Sequence, residues 1–145
     1  MKKIMIALVM FFNVMKTSAF ANEGTVNQEV LNAFKIEYSS AKDVSWTVGD
    51  NYYKASFTMN DQKLFAFYAV DGEFLALTRY ISSVQLPESI QSNLRKQFKE
   101  KWITDLFEVV NGEGTMYYAT LENADTKVIL KSGTGYWSLY RKEDK

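Results

Sequence analysis

The side chains that this sequence offers for catalysis are chiefly carboxylates. The chain contains no histidine and no cysteine, so the commonest general base, the commonest transition-metal ligands and any thiol nucleophile are missing. Two closely spaced carboxylate pairs remain, Asp105 with Glu108 and Glu122 with Asp125. Glycoside hydrolysis needs two carboxyl groups that face each other across a cleft, and spacing alone does not provide that arrangement. We interpret both pairs as solvated strand or turn residues, and we predict a protein without catalytic residues, metal site or cofactor.

Three glycine-containing segments resemble ion-binding or phosphate-binding loops in composition. Asp71-Gly72-Glu73 lacks the repeated Asp or Asn ligands and the closing Glu of a calcium loop. Gly112-Glu113-Gly114 and Gly133-Thr134-Gly135 are not followed by a helix whose N–H groups could bind a phosphate. All three segments are therefore predicted to be turns.

Aromatic residues, which make up 15% of the chain, are the remaining candidates for a functional surface. Successive residues of a strand point to opposite faces of a sheet, and several predicted strands are aromatic on both. The face that packs on helices is predicted to contain Val44, Trp46, Tyr53, Ala55, Phe57, Leu64, Ala66, Tyr117, Ala119, Leu121, Val128 and Leu130. The opposite, open face is predicted to contain Tyr52, Phe65, Phe67 and Tyr118, joined by Phe74, Tyr80, Tyr136 and Tyr140, with Lys54, Arg79, Lys127 and Lys131 at its rim.

A contiguous exposed aromatic surface marks a binding site. Aromatic rings mixed with basic side chains suit a protein partner better than a lipid, which favours a more continuous apolar surface. Two alternatives would leave these rings without a role in binding another protein. The sheet could curl until the rings cover one another, or its edges could pair with a second copy of the chain.

The elements that would position these residues follow from the spacing of the apolar positions. A helix is predicted over about 27–38, behind a capping-box pattern at Thr25 and Gln28, because apolar residues recur there at helical spacing. Four strands are predicted at 44–48, 53–59, 63–70 and 73–80, separated by turn sequences at 49–51, 60–61 and 71–72. The first half of the chain therefore reads as a helix followed by antiparallel strands.

The second half has the same order of elements. Pro87 is predicted to begin a helix, because the first helical turn tolerates a missing N–H. Strands are predicted at 103–110, 116–121, 127–131 and 136–140, and Arg141–Lys145 is interpreted as a solvated tail. The linker between the halves is too short for independently mobile domains, so we expect the two sheets to abut as one surface.

An internal repeat at a fixed offset of 64 residues relates the two halves. The matching pairs are Val30 and Leu94, Phe34 and Phe98, Tyr53 and Tyr117, Ala55 and Ala119, Phe57 and Leu121, and Lys63 and Lys127. Two copies of one supersecondary unit, at about 26–81 and 86–141, are therefore predicted within a single domain that spans 22–145.

Residues 1–21 are predicted to be a cleavable signal peptide. Lys2 and Lys3 precede an apolar run, Ile4–Met15, that is shorter than the roughly 20 residues of a spanning helix. Ala19-Phe20-Ala21 supplies the small residues that signal peptidase reads. The 124 residues that remain carry 14 basic and 17 acidic side chains, a net charge of about −3 that does not favour nucleic-acid binding. We expect a periplasmic or secreted protein that does not insert into the membrane after cleavage.

Several motifs resemble those of a known family. Ala33-Phe34 with Tyr38, the segments 41–46 (AKDVSW) and 53–57 (YKASF), and Asp71-Gly72 resemble the PepSY-like proteins of bacterial envelopes. This group is also described as having a β-lactamase-inhibitor-protein-like fold. Leu86-Pro87 and the segment 117–121 (YYATL) extend the resemblance to about residues 26–140. The chain departs from the family at Tyr38-Ser39, where proline often follows the aromatic residue.

The resemblance implies an α+β fold. It would be a tandem repeat of a helix plus a four-stranded antiparallel meander, forming one cupped eight-stranded sheet with helices on one face. In the inhibitor proteins after which the fold is named, the opposite face binds an enzyme, but a fold alone does not transfer a function. The resemblance therefore implies a mode of binding and no individual inhibitory residue.

These observations together predict a non-enzymatic exported binding protein. It would engage an unidentified envelope or extracellular protein or peptide through its open sheet face, and in the sharper form of the hypothesis it inhibits an envelope enzyme. The alternative is a module that binds a small ligand, such as a hydrophobic compound, a glycan or a peptide, in the concavity of the sheet. A homodimer is a further alternative.

Overall fold

The computed structural model describes residues 20–21, 25–133 and 135–145. Within them the chain forms β1 (Phe20–Ala21), α1 (Gln28–Glu37), β2 (Lys42–Val48), β3 (Tyr52–Met59), β4 (Gln62–Ala69), β5 (Phe74–Tyr80), a 3₁₀ helix (Ser83–Gln85), α2 (Glu88–Gln97), β6 (Trp102–Asn111), β7 (Gly114–Glu122), β8 (Thr126–Ser132) and β9 (Ser138–Asp144). The strand pairs with a defined register are antiparallel. The predicted α+β class is therefore confirmed. The chain divides into two compact units within β5, between Leu77 and Thr78.

The predicted signal peptide lies, apart from two residues, outside the described part of the chain. Those two residues form β1, which pairs antiparallel with β2. Phe20 lies opposite Thr47, and Ala21 lies opposite Trp46.

Helix α1 begins after Asn27, which is its N-cap. The Asn27 side-chain oxygen accepts a hydrogen bond of 2.9 Å from the backbone N–H of Glu29, and such a bond satisfies one of the donors left unpaired at a helix start. The capping-box pattern predicts the cap at Thr25, but the observed cap is Asn27, two residues later. Gln28 is already helical, and its side chain donates to Asn32.

The core of the first unit lies between α1 and one face of β2, β3 and β4. Phe34 of the helix is central to it, because its ring contacts Trp46 at 5.3 Å and Phe57 at 5.0 Å between centroids, both edge to face. Ala55 and Ala66 lie opposite each other on this face, and both are fully buried. Their small side chains leave room for the rings above them, as close packing requires.

The strands of this unit follow chain order, from β1 to the first part of β5. Their ends agree with the predicted ones to within two residues. The turn between β3 and β4 has positive φ angles of 50° at Asn60 and 59° at Asp61. Asn and Asp tolerate this conformation, which is typical of tight hairpin turns whose twist matches that of the strands.

The core of the second unit lies between α2 and one face of β6, β7 and β8. Ile90 and Leu94 of the helix are buried there with Leu106 and Ala119. Trp137, which the sequence analysis did not assign to a core, is also buried, and its indole N–H donates a 2.9 Å hydrogen bond to the carbonyl of Ile90. This bond fastens the segment before β9 to the helix.

The end of the chain differs from its prediction. The last strand begins at Ser138 and continues to Asp144, so Arg141–Lys145 is not a solvated tail. Val128 pairs with Lys142, and Lys127 lies opposite Glu143, where opposite charges favour cross-strand pairing. The predicted strand start at Tyr136 is two residues too early, and the intervening Trp137 lies in the helix-side core.

The residues predicted for the helix-packed face agree with the packing. All twelve residues assigned to the helix-packed face belong to, or pack against, the two helix-side cores. The predicted alternation therefore identifies the opposite face of each unit as well, which is where the candidate site lies.

Candidate functional site

A row of four aromatic rings crosses the second unit on the face opposite α2. Tyr80 of β5 contacts Phe107 of β6 at 6.4 Å between centroids, edge to face. Phe107 stacks on Tyr118 of β7 at 5.3 Å. Tyr118 in turn contacts Tyr140 of β9 at 5.7 Å, edge to face. We call Tyr80, Phe107, Tyr118 and Tyr140 the aromatic row.

The two ends of the aromatic row are accessible and its middle is not. Tyr80 is 46% exposed and Tyr140 is half-buried, whereas Phe107 is 1% and Tyr118 is 3% exposed. The expectation that Tyr118 is an exposed contact residue is therefore wrong. Phe107 stacks on the Tyr118 ring and Tyr140 contacts it edge to face, so this part of the face forms a small additional core.

The chemistry of the aromatic row is that of neutral rings beside a cation. Burial, followed by the nearby Tyr140, raises the pKa of the Tyr118 phenol to about 12, and burial, followed by the charge of Asp105, raises the pKa of Tyr80. The ammonium of Lys131 lies 5.8 Å from the centre of the Tyr140 ring, within the range of a cation–π contact. The accessible end at Tyr140 thus combines an aromatic ring and a positive charge.

The first unit also carries aromatic contacts on the strand face opposite α1. The rings of Tyr52 and Phe67 are 6.0 Å apart, and the ammonium of Lys54 lies 5.7 Å from the centre of the Phe65 ring. Tyr52, Lys54 and Phe65 are half-buried, but Phe67 is only 1% exposed. Phe67 is therefore not the exposed anchor that was predicted, because Lys54 lies opposite it in register and the Tyr52 ring packs beside it.

Burial also changes the protonation of this group. It lowers the pKa of the Lys54 ammonium, because a charged group loses hydration when it is covered. Burial, followed by the charge of Asp50, raises the pKa of Tyr52. Both shifts disfavour the charged forms of these two side chains.

Two predicted contact residues do not lie on this face. Phe74 is on the helix side of the first unit, where its ring contacts Tyr68 edge to face at 5.7 Å and lines a hollow with Tyr38. Tyr136 is 74% exposed but precedes β9. Its neighbour Gly135 accepts a hydrogen bond from Asn93 of α2, which ties this segment to the helix. The regular alternation of side chains between two faces therefore does not hold at the start of β5 or in the segment before β9.

Arg79 is a further correction, because it lies on the helix side and not at the rim of the open face. Its guanidinium donates to Glu108 at 2.8 Å and 3.4 Å. The hydrogen bond to Glu108 raises the pKa of Arg79. This ion pair links β5 to β6. Glu108 also interacts with Tyr117, whose pKa is raised by burial and then by the charge of Glu108.

The two carboxylate pairs do not form converging sites. Glu108 faces the helix side, whereas Asp105 lies opposite Thr120 on the other face of β6. Burial raises the pKa of Asp105, Lys127 lowers it and Glu122 raises it. Glu122 accepts from Lys145 at 2.9 Å, and this hydrogen bond lowers its pKa, while Asp125 lies in the turn before β8.

Phe107 is the main residue of the site that the sequence analysis missed. The predicted strand at 103–110 was not divided between faces, although alternation from Phe107 to Asp105 and Val109 would have placed all three on one side. Thr120 and Ile129 are buried on the same face, at 1% and 2% exposure. A complete parity assignment would therefore have recovered the middle of the aromatic row.

Among residues 20–21, 25–133 and 135–145, no group of three or more His, Cys, Asp or Glu side chains is placed to hold a metal ion. In the same part of the chain, none of the helices has the length and apolar character needed to cross a membrane.

The antiparallel α+β arrangement matches several solved structures at low sequence identity. A BLIP-like protein from Bacteroides fragilis NCTC 9343 has a TM-score of 0.70 and 19% identity, covering 82% of this chain and 86% of that chain. A DUF2874 family protein from Bacteroides ovatus ATCC 8483 has a TM-score of 0.73 and 21% identity, covering 83% and 88%. These likenesses establish that the chain has the BLIP-like fold.

A third similar structure is a protein from Bacteroides eggerthii DSM 20697 that is provisionally described as periplasmic. Its TM-score is 0.71 with 17% identity, covering 82% of this chain and 88% of that chain. No family model matches the sequence, and no curated protein is significantly similar to it.

Proposed function

We propose that this chain is a non-enzymatic exported protein that binds a protein or peptide partner through the strand face that carries the aromatic row. The observation that carries the proposal is the arrangement of the row itself. Two partly exposed tyrosines, Tyr80 and Tyr140, stand at the ends of a buried ring stack. Lys131 lies beside one of them.

The row suits a protein partner for two physical reasons. Tyrosine is enriched at the energetically dominant positions of interfaces, where its ring is buried and its hydroxyl finds a polar partner. Rings that are already held in place lose little conformational freedom on binding, so more of the contact energy remains as affinity. Tyr52, Lys54 and Phe65 form a separate aromatic and basic group in the first unit.

Inhibition of an envelope enzyme is the sharper form of this proposal. It draws on the BLIP-like description of the Bacteroides fragilis protein and would act by occlusion, with the partner's active site covered when the tyrosines are buried. The non-enzymatic part is supported by the divergence of Asp105 and Glu108 to opposite faces of β6.

Three further parts belong to the same proposal. Residues 1–21 would direct export and be removed, which agrees with the provisional periplasmic description of one similar structure. The two helix-and-strand units would be copies of one ancestral unit in a single domain, related by the 64-residue offset. The PepSY-like motifs would place the chain in that envelope group.

The test is affinity capture from an envelope extract of the producing bacterium with three forms of residues 22–145. These are the parent, the double variant Tyr80→Ser, Tyr140→Ser, and the control Tyr136→Ser. Tyr136 is an exposed tyrosine that lies off the aromatic row, and circular dichroism would verify the fold of each form. We expect a protein that is retained by the parent and by the control and is lost with the double variant. Equal retention by all three forms, or no retained protein, would contradict the proposal.

The choice of residues follows from burial. Phe65→Ser with Phe67→Ser would place a hydroxyl at the buried Phe67 position, where loss of a large apolar side chain typically lowers stability by about 3–5 kcal/mol. Such a variant would confuse loss of folding with loss of binding. Tyr80 and Tyr140 avoid this problem because they are already partly in contact with water.

A further inference from the structure

The second unit has an amphipathic cleft on its helix side, away from the aromatic row. The cleft has a volume of about 360 Å³, which is within the range of small-molecule sites. Leu94, Phe98, Ile103 and Leu121 form its apolar part. Ile103 is 39% exposed and Phe98 is half-buried, so apolar surface in the cleft is accessible to a ligand.

The polar wall of this cleft is positively charged. Arg95, Lys99 and Lys101 line it, and the described residues that line it include no carboxylate. Lys101 donates to the hydroxyl of Thr126, whereas Arg95 and Lys99 are exposed. The C-terminal end of α2 contributes roughly half a negative charge from its unpaired carbonyl groups. The three positive charges of Arg95, Lys99 and Lys101 are larger in sum. The cleft therefore favours an anion.

The first unit has a cleft at the corresponding place with a different charge. It has a volume of about 280 Å³ and is lined by Leu31, Phe34 and Lys35, among others. These three residues precede Arg95, Phe98 and Lys99 by 64 positions. The aromatic residue and one lysine are therefore shared, but the arginine is replaced by leucine, so the concentration of positive charge is specific to the second unit.

We propose that the cleft of the second unit binds a single-chain aliphatic carboxylate, that is, a free fatty acid of medium length. The alkyl chain would lie on Phe98 and Ile103, above the buried Leu121, and the carboxylate would lie between Arg95 and Lys99. The site is separate from the proposed protein-binding face, because Ile103 and Leu121 share the helix-packed side of their strands.

The chemistry selects this class of ligand in two ways. A guanidinium can donate two parallel hydrogen bonds to a carboxylate, a geometry that a neutral alcohol cannot accept. Removal of the alkyl chain from water supplies the favourable free energy that an exposed ion pair alone does not. A ligand with only one of these features would therefore bind more weakly.

The test is an NMR titration of residues 22–145 with octanoate and, separately, with octanol, in which amide shifts report both affinity and place. We expect saturable shifts of the amides around Ile103 and Leu121, and a Kd for octanoate about tenfold lower than that for octanol, which corresponds to about 1.4 kcal/mol. The double variant Arg95→Gln, Lys99→Gln should lose this preference and keep its weak binding of octanol. Lys35→Gln in the first unit is the matched control and should bind octanoate like the parent.

A second variant tests the apolar part. Ile103→Ser should weaken the binding of both octanoate and octanol. Because Ile103 is partly exposed, we expect this variant to remain folded. The proposal is overturned if octanoate gives no saturable shifts, if its shifts lie around Phe34 and Lys35 in the first unit, or if Arg95→Gln, Lys99→Gln binds octanoate as tightly as the parent. None of these outcomes bears on capture of a protein by Tyr80 and Tyr140.

Discussion

Tyr118 lies nearly flat on Phe107, with 5.3 Å between ring centroids and 16° between planes. The two residues are directly opposite in the register of β7 and β6. Opposed side chains of neighbouring strands are the elementary stabilising contacts of a sheet, and an aromatic pair adds about 0.5–1.5 kcal/mol beyond its burial. The stack therefore supports the surface whose accessible members are Tyr80 and Tyr140.

The first prediction concerns the support that this stack provides. Tyr118→Ala should lower the free energy of unfolding by about 3–5 kcal/mol, because it removes a buried ring and leaves a cavity. Tyr118→Phe keeps the ring and should change it by less than about 1 kcal/mol. Urea unfolding monitored by circular dichroism measures both values. Tyr136→Ala, at a 74% exposed position, is the control, and an equal effect of the two alanine variants would show that the stack is not structural.

The second prediction concerns alkaline pH. The pKa of Tyr118 is raised from 10.0 to about 12 in the folded chain, so the unfolded chain releases this proton first as the pH increases. The contribution of Tyr118 to stability is therefore complete below pH 10 and is lost between about pH 10 and pH 12, up to about 2–3 kcal/mol. Tyr118→Phe has no such proton. Its stability should fall less steeply than that of the parent over this interval, and parallel curves would refute the prediction.

The fold was largely predictable because alternation and turn chemistry are local signals. The face of Trp46, Ala55 and Phe57 follows from counting along two strands joined by a short turn. The burial of Trp137 was not predicted, because the core that it joins and the Ile90 carbonyl that it binds belong to a helix about 47 residues away in the chain. The strand through Arg141–Asp144 was missed for a related reason, since it depends on pairing with β8, where Lys127 lies opposite Glu143.

The candidate site was less predictable. Alternation along a strand assigns a residue to one face of the sheet, but it does not tell whether other side chains cover that residue. Tyr118 and Phe67 are on the predicted face, and yet neighbouring rings bury both. Phe74 and Tyr136 are at strand ends, where regular alternation stops. Exposure of an aromatic residue depends on contacts between strands that are distant in sequence, and a single sequence does not contain that information.

The third prediction concerns the ion pair between Arg79 and Glu108. Their side chains are 26% and 15% exposed and their closest atoms are 2.8 Å apart. Glu108→Gln would leave the guanidinium partly buried without its counter-charge, and we expect a loss of about 1–2 kcal/mol, less than for a fully buried pair. Glu143→Gln is the matched control. Its partner Arg141 is 54% exposed, so the expected loss is under about 0.5 kcal/mol.

Urea unfolding of these two variants also distinguishes the ion pair from a general effect of charge. Each substitution removes one negative charge from a strand, so an effect through net charge would be equal in both. A loss at Glu143 as large as the loss at Glu108 would show that burial of the pair is not what stabilises β5 against β6.

The fourth prediction concerns a buried hydroxyl that weakens the face it lies on. Thr120 is 1% exposed, and its hydroxyl has no hydrogen-bond partner within the described part of the chain. A buried polar group without a partner is unfavourable by about 1–3 kcal/mol. Thr120→Val replaces this hydroxyl by a methyl group of similar size, and we expect it to raise stability by about 1 kcal/mol.

Thr126→Val gives the opposite case on the next strand. The Thr126 hydroxyl donates a 3.0 Å hydrogen bond to Asn123 and accepts one from Lys101, so its loss should lower stability by about 1 kcal/mol. Thermal unfolding would then shift by a few degrees in opposite directions for the two variants. If Thr120→Val instead lowered the Tm, the hydroxyl would have a partner in solution, and a buried water bridging Thr120 would be the simplest one. Such a water would make this part of the face a polar site, whereas a higher Tm would mean that Thr120 belongs to the same small core as Phe107 and Tyr118.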